Sequence, residues 1–248
     1  MRLESAGQTH VGRRPHNEDA YCVRPELGLF VVADGLGGQE GGEVASQCVV
    51  DAFKEFGERM AREGEAAWPH PQDGRRSREE NLLAVCTELA QRAVQSRRVG
   101  YLREMGSTVV AFAVGEGGAA VSHVGDSRLY RLREGQLEAL TRDHSITEEL
   151  REAGLEPPPR GQSAFGHIIT RALGTERSEP TVHRVELRAG DVYLLCSDGL
   201  YEPLGPERMA TSLALSDVAQ ACAALVSGAY EAGSRDNITA VVVRILEA

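Results

Sequence analysis

The 248-residue chain carries 27 Lys+Arg against 37 Asp+Glu, a formal charge of −10, with 42% hydrophobic and 26% charged residues. That balance buries a core and excludes a disordered chain, and it offers no overall basic surface for tracking a nucleic-acid backbone. At about 150 residues per domain the length allows one or two domains, and we read a single domain over residues 1–248.

Met1-Arg2-Leu3-Glu4 runs straight into polar residues, and no stretch of about 18 apolar residues follows. The expectation is a chain with no leader and no membrane span, acting in the cytoplasm. Cys22, Cys48, Cys86, Cys196 and Cys222 lie far apart with no C-x-x-C pair. They read as small buried hydrophobes, not as a disulfide framework or a zinc site.

In chain order, residues 29–33 form a short apolar run rich in β-branched residues and predict a strand. Residues 43–60 repeat apolar positions every three to four, which predicts a helix with one buried stripe. A loop over 63–76 joins it to a second helix over 78–99, opened by a Ser77/Glu80 capping box. Strands are predicted over 108–114 and 119–124, and the alternating residues 129–133 after Gly125-Asp126-Ser127 predict a hairpin partner. Residues 154–167, with Pro157-Pro-Pro159, predict a surface insertion; 192–196 predict a strand, 206–213 and 217–230 a helix pair, and 238–245 a last strand. Blocks of strands alternating with helix pairs favour an α+β layering of antiparallel sheets over a doubly wound fold.

Carboxylates fall at the ends of these strands: Asp34 after the first, Asp126 after 119–124, Asp198 after 192–196, and Asp236 just before 238–245. Asn17-Glu18-Asp19 adds two acids before the short run 20–23. Each Asp alone is an ordinary turn residue. Gathered at one edge they would repel one another unless a cation neutralised them, and hard oxygen ligands select Mg²⁺ or Mn²⁺ over zinc.

Other chemistries fail on spacing. From Gly35, a G-x-G-x-x-G fingerprint needs glycine at Glu40, no G-K-[ST] follows for a phosphate loop, and Leu36 breaks a calcium loop. Cys86 and Arg92 match a C-x₅-R spacing but lie inside an amphipathic helix, Ser197 lacks a G-x-S-x-G elbow, and His123 sits within a strand as a packed residue.

Eight ordered motifs carry a resemblance: Arg14-Pro-His-Asn-Glu-Asp19, Val31-Val-Ala-Asp-Gly-Leu-Gly-Gly38 with Gly42-Glu-Val-Ala-Ser46, Gly106-Ser-Thr108, Gly125-Asp-Ser-Arg128, Leu140-Thr-Arg-Asp-His-Ser145, Ile169-Thr-Arg-Ala-Leu-Gly174, Cys196-Ser-Asp-Gly-Leu200 and Asp236-Asn-Ile-Thr239. Together they resemble the type 2C metal-dependent Ser/Thr protein phosphatases in their bacterial form, over residues 7–245.

The resemblance implies a four-layer αββα sandwich, two antiparallel sheets flanked by antiparallel helix pairs, with a flap over 145–172 beside the cleft. It implies two Mn²⁺ or Mg²⁺ ions and a weaker third. Asp34 would bridge the pair, Asp198 and Asp236 would complete the first site, Glu18 and the Gly35 carbonyl would face the second, and Asp126 with Asp198 would hold the third. Arg14 would bind the substrate phosphate, and Asp19 would hold metal-bound water. Leu36 stands where eukaryotic relatives carry a His proposed as general acid; Gln39 and His167 also depart from common residues. The implied activity is hydrolysis of phosphoserine and phosphothreonine in proteins, opposing a Ser/Thr kinase, by a monomer with no nucleic-acid or membrane partner. A catalytically silent relative would lack these ligands, whereas hydrolysis of a small phosphoester would keep them.

Overall fold

A computed structural model describes residues 1–37, 41–157 and 168–247. Gln39, His167 and the Pro-rich middle of the expected 145–172 flap therefore lie outside the described residues. In chain order the strands are β1 (Arg2–His10), β2 (Asp19–Arg24), β3 (Leu29–Leu36), β4 (Gly106–Ser107), β5 (Val109–Gly115), β6 (Gly118–Val124), β7 (Arg128–Arg133), β8 (Gln136–Ala139), β9 (Thr181–Val185), β10 (Val192–Cys196) and β11 (Ile238–Glu247). The helices are α1 (Gly42–Glu63), α2 (Arg78–Arg97), α3 (Ile146–Glu152), α4 (Asp198–Leu204), α5 (Pro206–Leu213) and α6 (Val218–Glu231). They build two antiparallel sheets, ordered β1-β11-β10-β7-β8 and β2-β3-β5-β6-β9, with β4 paired onto β3.

Strand periodicity explains the four layers. Successive strand side chains point to opposite faces, so in β3 Leu29, Val31 and Ala33 pack toward α1 and α2, while Phe30 and Val32 enter the space between the sheets. In β11, Ala240 and Val242 pack toward α4–α6, while Val241, Val243 and Ile245 enter that same central space. A strand buried on both faces reads as a continuous apolar run, as these two do in the sequence. Around them, Phe53, Phe56 and Leu83 cover one sheet, and Leu213, Leu225 and Val226 cover the other.

The capping box stands at the start of α2: Glu80 N–H donates to Ser77 Oγ, and Ser77 N–H donates to the Glu80 carboxylate at 2.7 Å. All five cysteines are free and buried. Burial drives the Cys86 thiol far above its usual range, so it is a packed helical residue and no nucleophile.

Two expectations are corrected, and one strand is added. The hairpin at Gly125–Ser127 does not form: β6 pairs with β5 and β9, whereas β7 pairs with β10 and β8 in the other sheet. The turn carrying Asp126 therefore hands the chain across the sandwich, and the alternation in β7 divides Leu129 from Tyr130 and Leu132 between two different cores. Asp34 and Gly35 lie inside β3, not beyond its end, because β2 and β4 extend the pairing past Ala33. Strand β1 escapes a hydropathy reading because Glu4, Ser5, Gly7 and Gln8 give it little apolar signal; its register with β11 runs from Arg2 opposite Glu247 to His10 opposite Ile238.

Phe112 sits at the centre of the inter-sheet core, its ring 4.7 Å from Tyr193 and 6.4 Å from Phe30. Replacing it with alanine leaves a cavity that two rigid sheets cannot close, so Phe112→Ala is expected to lower unfolding stability by about 3–5 kcal/mol. A urea titration against the unchanged chain measures this.

Candidate metal centre

The expected site residues arrive from separate elements and meet in one electrostatic neighbourhood. Asp19 begins β2 and stands opposite Asp34 of β3 in register. Asp198 opens α4 directly after β10, Asp236 precedes β11, and Asp126 lies in the turn between β6 and β7. Burial first, and then the charges of Asp19, Asp198, Asp126 and Asp236, hold the Asp34 carboxyl well above its usual range. Asp198 is raised by burial and then by Asp126 and Asp236. Asp126 is pushed up to about 6, by burial first and Asp143 next.

Asp19 is the most enclosed of the set, at 8% exposure. Its Oδ2 accepts hydrogen bonds from Ser197 Oγ at 2.7 Å and Thr239 Oγ1 at 2.6 Å. Its Oδ1 is buried with no partner. Burial pushes this carboxyl up to about 6 against the opposing pull of the two hydroxyls. Ser197 and Thr239 stand in two of the sequence motifs but had no role there as supports of Asp19; they lie one and three positions from candidate ligands, which is the signal that could have found that role.

Glu18 and Gly35 share a confined space. A Cβ on Gly42, the first residue of α1, would lie 2.7 Å from the Glu18 carboxyl carbon and 2.9 Å from the Gly35 carbonyl oxygen. Glycine at 42 thus lets a carboxylate and a backbone carbonyl occupy one spot. Asn237 fixes the approach: its Oδ1 accepts from Glu18 N–H at 2.8 Å, and its Nδ2 donates to the carbonyls of Val11 and His16, each at 2.9 Å. Arg14, half exposed, donates to Asp236 Oδ2 at 2.7 Å. Burial raises the Glu18 carboxyl above its usual range, opposed by Arg14 and His16 and supported by Asp236 and Glu43.

A second network ties Asp126 to α4. The Arg128 guanidinium bonds both oxygens of Asp143, at 2.7 and 2.6 Å, and lies 3.8 Å over the Tyr201 ring. Tyr201, one turn into α4 from Asp198, donates its hydroxyl to the Asp126 carbonyl at 3.2 Å. His144 braces the same turn from behind, its Nδ1 accepting from Gly125 N–H at 3.2 Å while its ring stacks on His123 at 4.5 Å. These two histidines, Asp143 and Arg171 line a cleft of about 420 Å³ that contains none of the candidate ligands.

The donor set fits a hard dication in its chemistry: carboxylates and a carbonyl, with Asp19 Oδ1 and Asp198 Oδ1 both buried and unpartnered. Among the described residues, however, no three His, Cys, Asp or Glu side chains stand as a ready-made cage. Asp236 is turned to Arg14, and the acids raise one another through their charges.

Comparison with known proteins agrees with this architecture. The profile of the protein phosphatase 2C family matches residues 6–225. The serine/threonine protein phosphatase PstP of Mycobacterium tuberculosis is 34% identical over 94% of this chain, which spans 43% of that relative's length. Protein phosphatase PhpP of Streptococcus pneumoniae is 30% identical over 99% of this chain and 98% of its own. The PstP catalytic domain, solved in complex with 2 manganese ions, superposes with a TM-score of 0.82 at 32% identity over 99% of both chains. This chain belongs to the protein phosphatase 2C family.

The raised carboxyls have a measurable cost. For an acid whose folded pKa lies above its unfolded value, the folded state retains the proton longer, so stability falls as pH rises through that window. For Asp19 that window runs from about 4, the ordinary carboxylate value, to about 6. In chelator, thermal unfolding is expected to occur at a lower temperature at pH 7.5 than at pH 5.5, and Asp34→Asn to raise the pH 7.5 midpoint by about 5 °C. A scan of both proteins at both pH values reads the effect.

Proposed function

We propose that the protein is a metal-dependent Ser/Thr protein phosphatase that hydrolyses phosphoserine and phosphothreonine monoesters. The observation that supports it most directly is the gathering of Asp19, Asp34, Asp126 and Asp198, each raised by burial and by other acids, beside an accessible arginine. In this reading Asp34, Asp198 and Asp236 would hold the first ion of a Mn²⁺ or Mg²⁺ pair, and Asp34, Glu18 and the Gly35 carbonyl would hold the second. Asp126 with Asp198 is assigned to a third, weaker ion. Bound there, the ions would lower the pKa of a water and shield the phosphate from its nucleophile.

The chain's own groups do the rest. Arg14 presents a bidentate fork, half exposed, that matches a phosphate and spreads its developing charge. Only Arg14 Nη2 donates to Asp236, so the other guanidinium N–H groups remain for a phosphate. Asp19, fixed through one oxygen by two hydroxyls, keeps the other as a fixed acceptor within the site. Leu36 cannot donate a proton, so water or another group must protonate the leaving alkoxide. The substrates are phosphoproteins, supplied by an opposing Ser/Thr kinase.

Phosphate release from a phosphothreonine peptide should require Mn²⁺ or Mg²⁺ and stop in chelator. Loss of a ligand worth several kcal/mol predicts a fall of at least about 100-fold for Asp34→Ala and Asp236→Ala. Metal-independent turnover, or full activity in both variants, contradicts the assignment.

A further inference from the structure

Beside Arg14 the protein presents positive charge that the proposed chemistry does not use. Arg13 and Arg235 are exposed, and among the described residues neither has a carboxylate partner. Arg24, Arg75, Arg92, Arg128, Arg133 and Arg188 are paired with carboxylates; Arg76 and Arg208 are exposed without one among the described residues, and what distinguishes Arg13 and Arg235 is their place beside Arg14 and Asp236 in sequence.

The two arginines belong to loops that are fastened together. Gly12 adopts φ +62°, and a Cβ there would stand 1.9 Å from the Asp236 carbonyl oxygen, so only glycine lets the 11–16 loop press onto the 235–237 segment. Asn237 then ties that segment to the Val11 and His16 carbonyls. Arg13 is directed by Tyr230 near the end of α6: its guanidinium carbon lies 6.0 Å from the ring centroid. The Tyr230 ring, 42% exposed, is held edge-on by His10 at 5.0 Å, and His10 Nδ1 accepts from Gly12 N–H. Outside the Arg14–Asp236 pair, segments 10–16 and 230–236 carry Arg13 and Arg235 against Glu231 alone.

We propose that Arg13, Arg235 and the Tyr230 ring form a subsite for acidic residues flanking the phosphorylated residue of a protein substrate. The proposal rests on the phosphatase reading, because it takes Arg14 as the anchor for the phosphate. With that anchor fixed, an extended peptide rises about 3.3 Å per residue, so neighbours of Arg14 meet side chains within roughly one to three positions of the phosphoresidue. Carboxylates there find two unpaired guanidinium groups, one of them pre-oriented on an aromatic face and so costing less ordering. Neutral flanks gain nothing from them. The subsite also offsets the repulsion an acidic segment would meet from the surplus acids of the chain.

The test uses two phosphothreonine peptides identical except that the flanking residues are Asp/Glu in one and Asn/Gln in the other. Each is assayed with Mn²⁺ on the full chain and on Arg13→Gln/Arg235→Gln. The expected ratio of kcat/KM, acidic over neutral, is about tenfold in the unchanged protein at low salt, carried mainly in KM. It should shrink at about 0.5 M salt and fall to near one in the double variant. Because the ratio is taken within each protein, a general loss of folded enzyme cancels. A ratio near one in the unchanged protein, or a tenfold ratio surviving in the double variant, overturns the subsite while leaving the phosphatase reading intact. If neither peptide is hydrolysed although an aryl phosphate is, the protein-phosphatase reading itself falls, and the subsite with it.

Discussion

Everything at the functional end of this molecule depends on one unfavourable interaction, the mutual repulsion of carboxylates withdrawn from water. Asp19, Asp34, Asp126 and Asp198 all titrate above the ordinary range, and in each case burial is the first cause; another acid is the next for Asp34, Asp126 and Asp198. Left to flexible loops, such side chains would separate into solvent. Here the backbone forbids it: Asp19 and Asp34 are locked opposite one another in a strand pair, and Asp198 is the first residue of a helix that starts where a buried strand stops. A dication turns that repulsion into attraction, so the same geometry that weakens the bare protein becomes the source of its affinity for metal.

Rigidity is supplied from three cores and two polar braces. The inter-sheet core fixes β3 and β11 through Phe30, Val32, Val241 and Val243, while each sheet's outer face is clamped by its own helices. Polar braces then set individual side chains. Ser197 and Thr239 hold one oxygen of Asp19, and the Asp143–Arg128–Tyr201 chain sets the Asp126 turn against α4. Buried polar networks of this kind are strong only when their members are satisfied; among the buried atoms left without a partner are Asp19 Oδ1 and Asp198 Oδ1, on a candidate ligand and its neighbour.

Much of this was legible in the sequence, for identifiable reasons. Doubly buried strands such as β3, β10 and β11 announce themselves as apolar runs, and α1 and α2 as stripes with a capping box, so their limits came within a few residues. The order of the motifs carried the family and the layered fold. What pattern could not carry was pairing between distant segments. The crossing at Gly125–Ser127 looks locally like a hairpin, because a turn between two alternating runs has the same sequence whichever sheet the second run joins. Strand β1 owes its place to backbone bonds with β11, which leave no apolar trace. The supporting roles of Asn237, Thr239 and Tyr201 were hidden for a similar reason: a hydroxyl or amide becomes informative only once the fold shows which partner it bonds.

The most direct measurement is the number of protons released when Mn²⁺ binds, obtained by titration calorimetry in buffers of different ionisation enthalpy near pH 6. Acids held protonated by burial and by one another must give up protons to become ligands, so net release is expected, largely lost in Asp34→Asn together with the binding itself. Binding of Mn²⁺ without proton release, or with equal affinity in Asp34→Asn, would contradict a centre built on mutually repelling buried carboxylates.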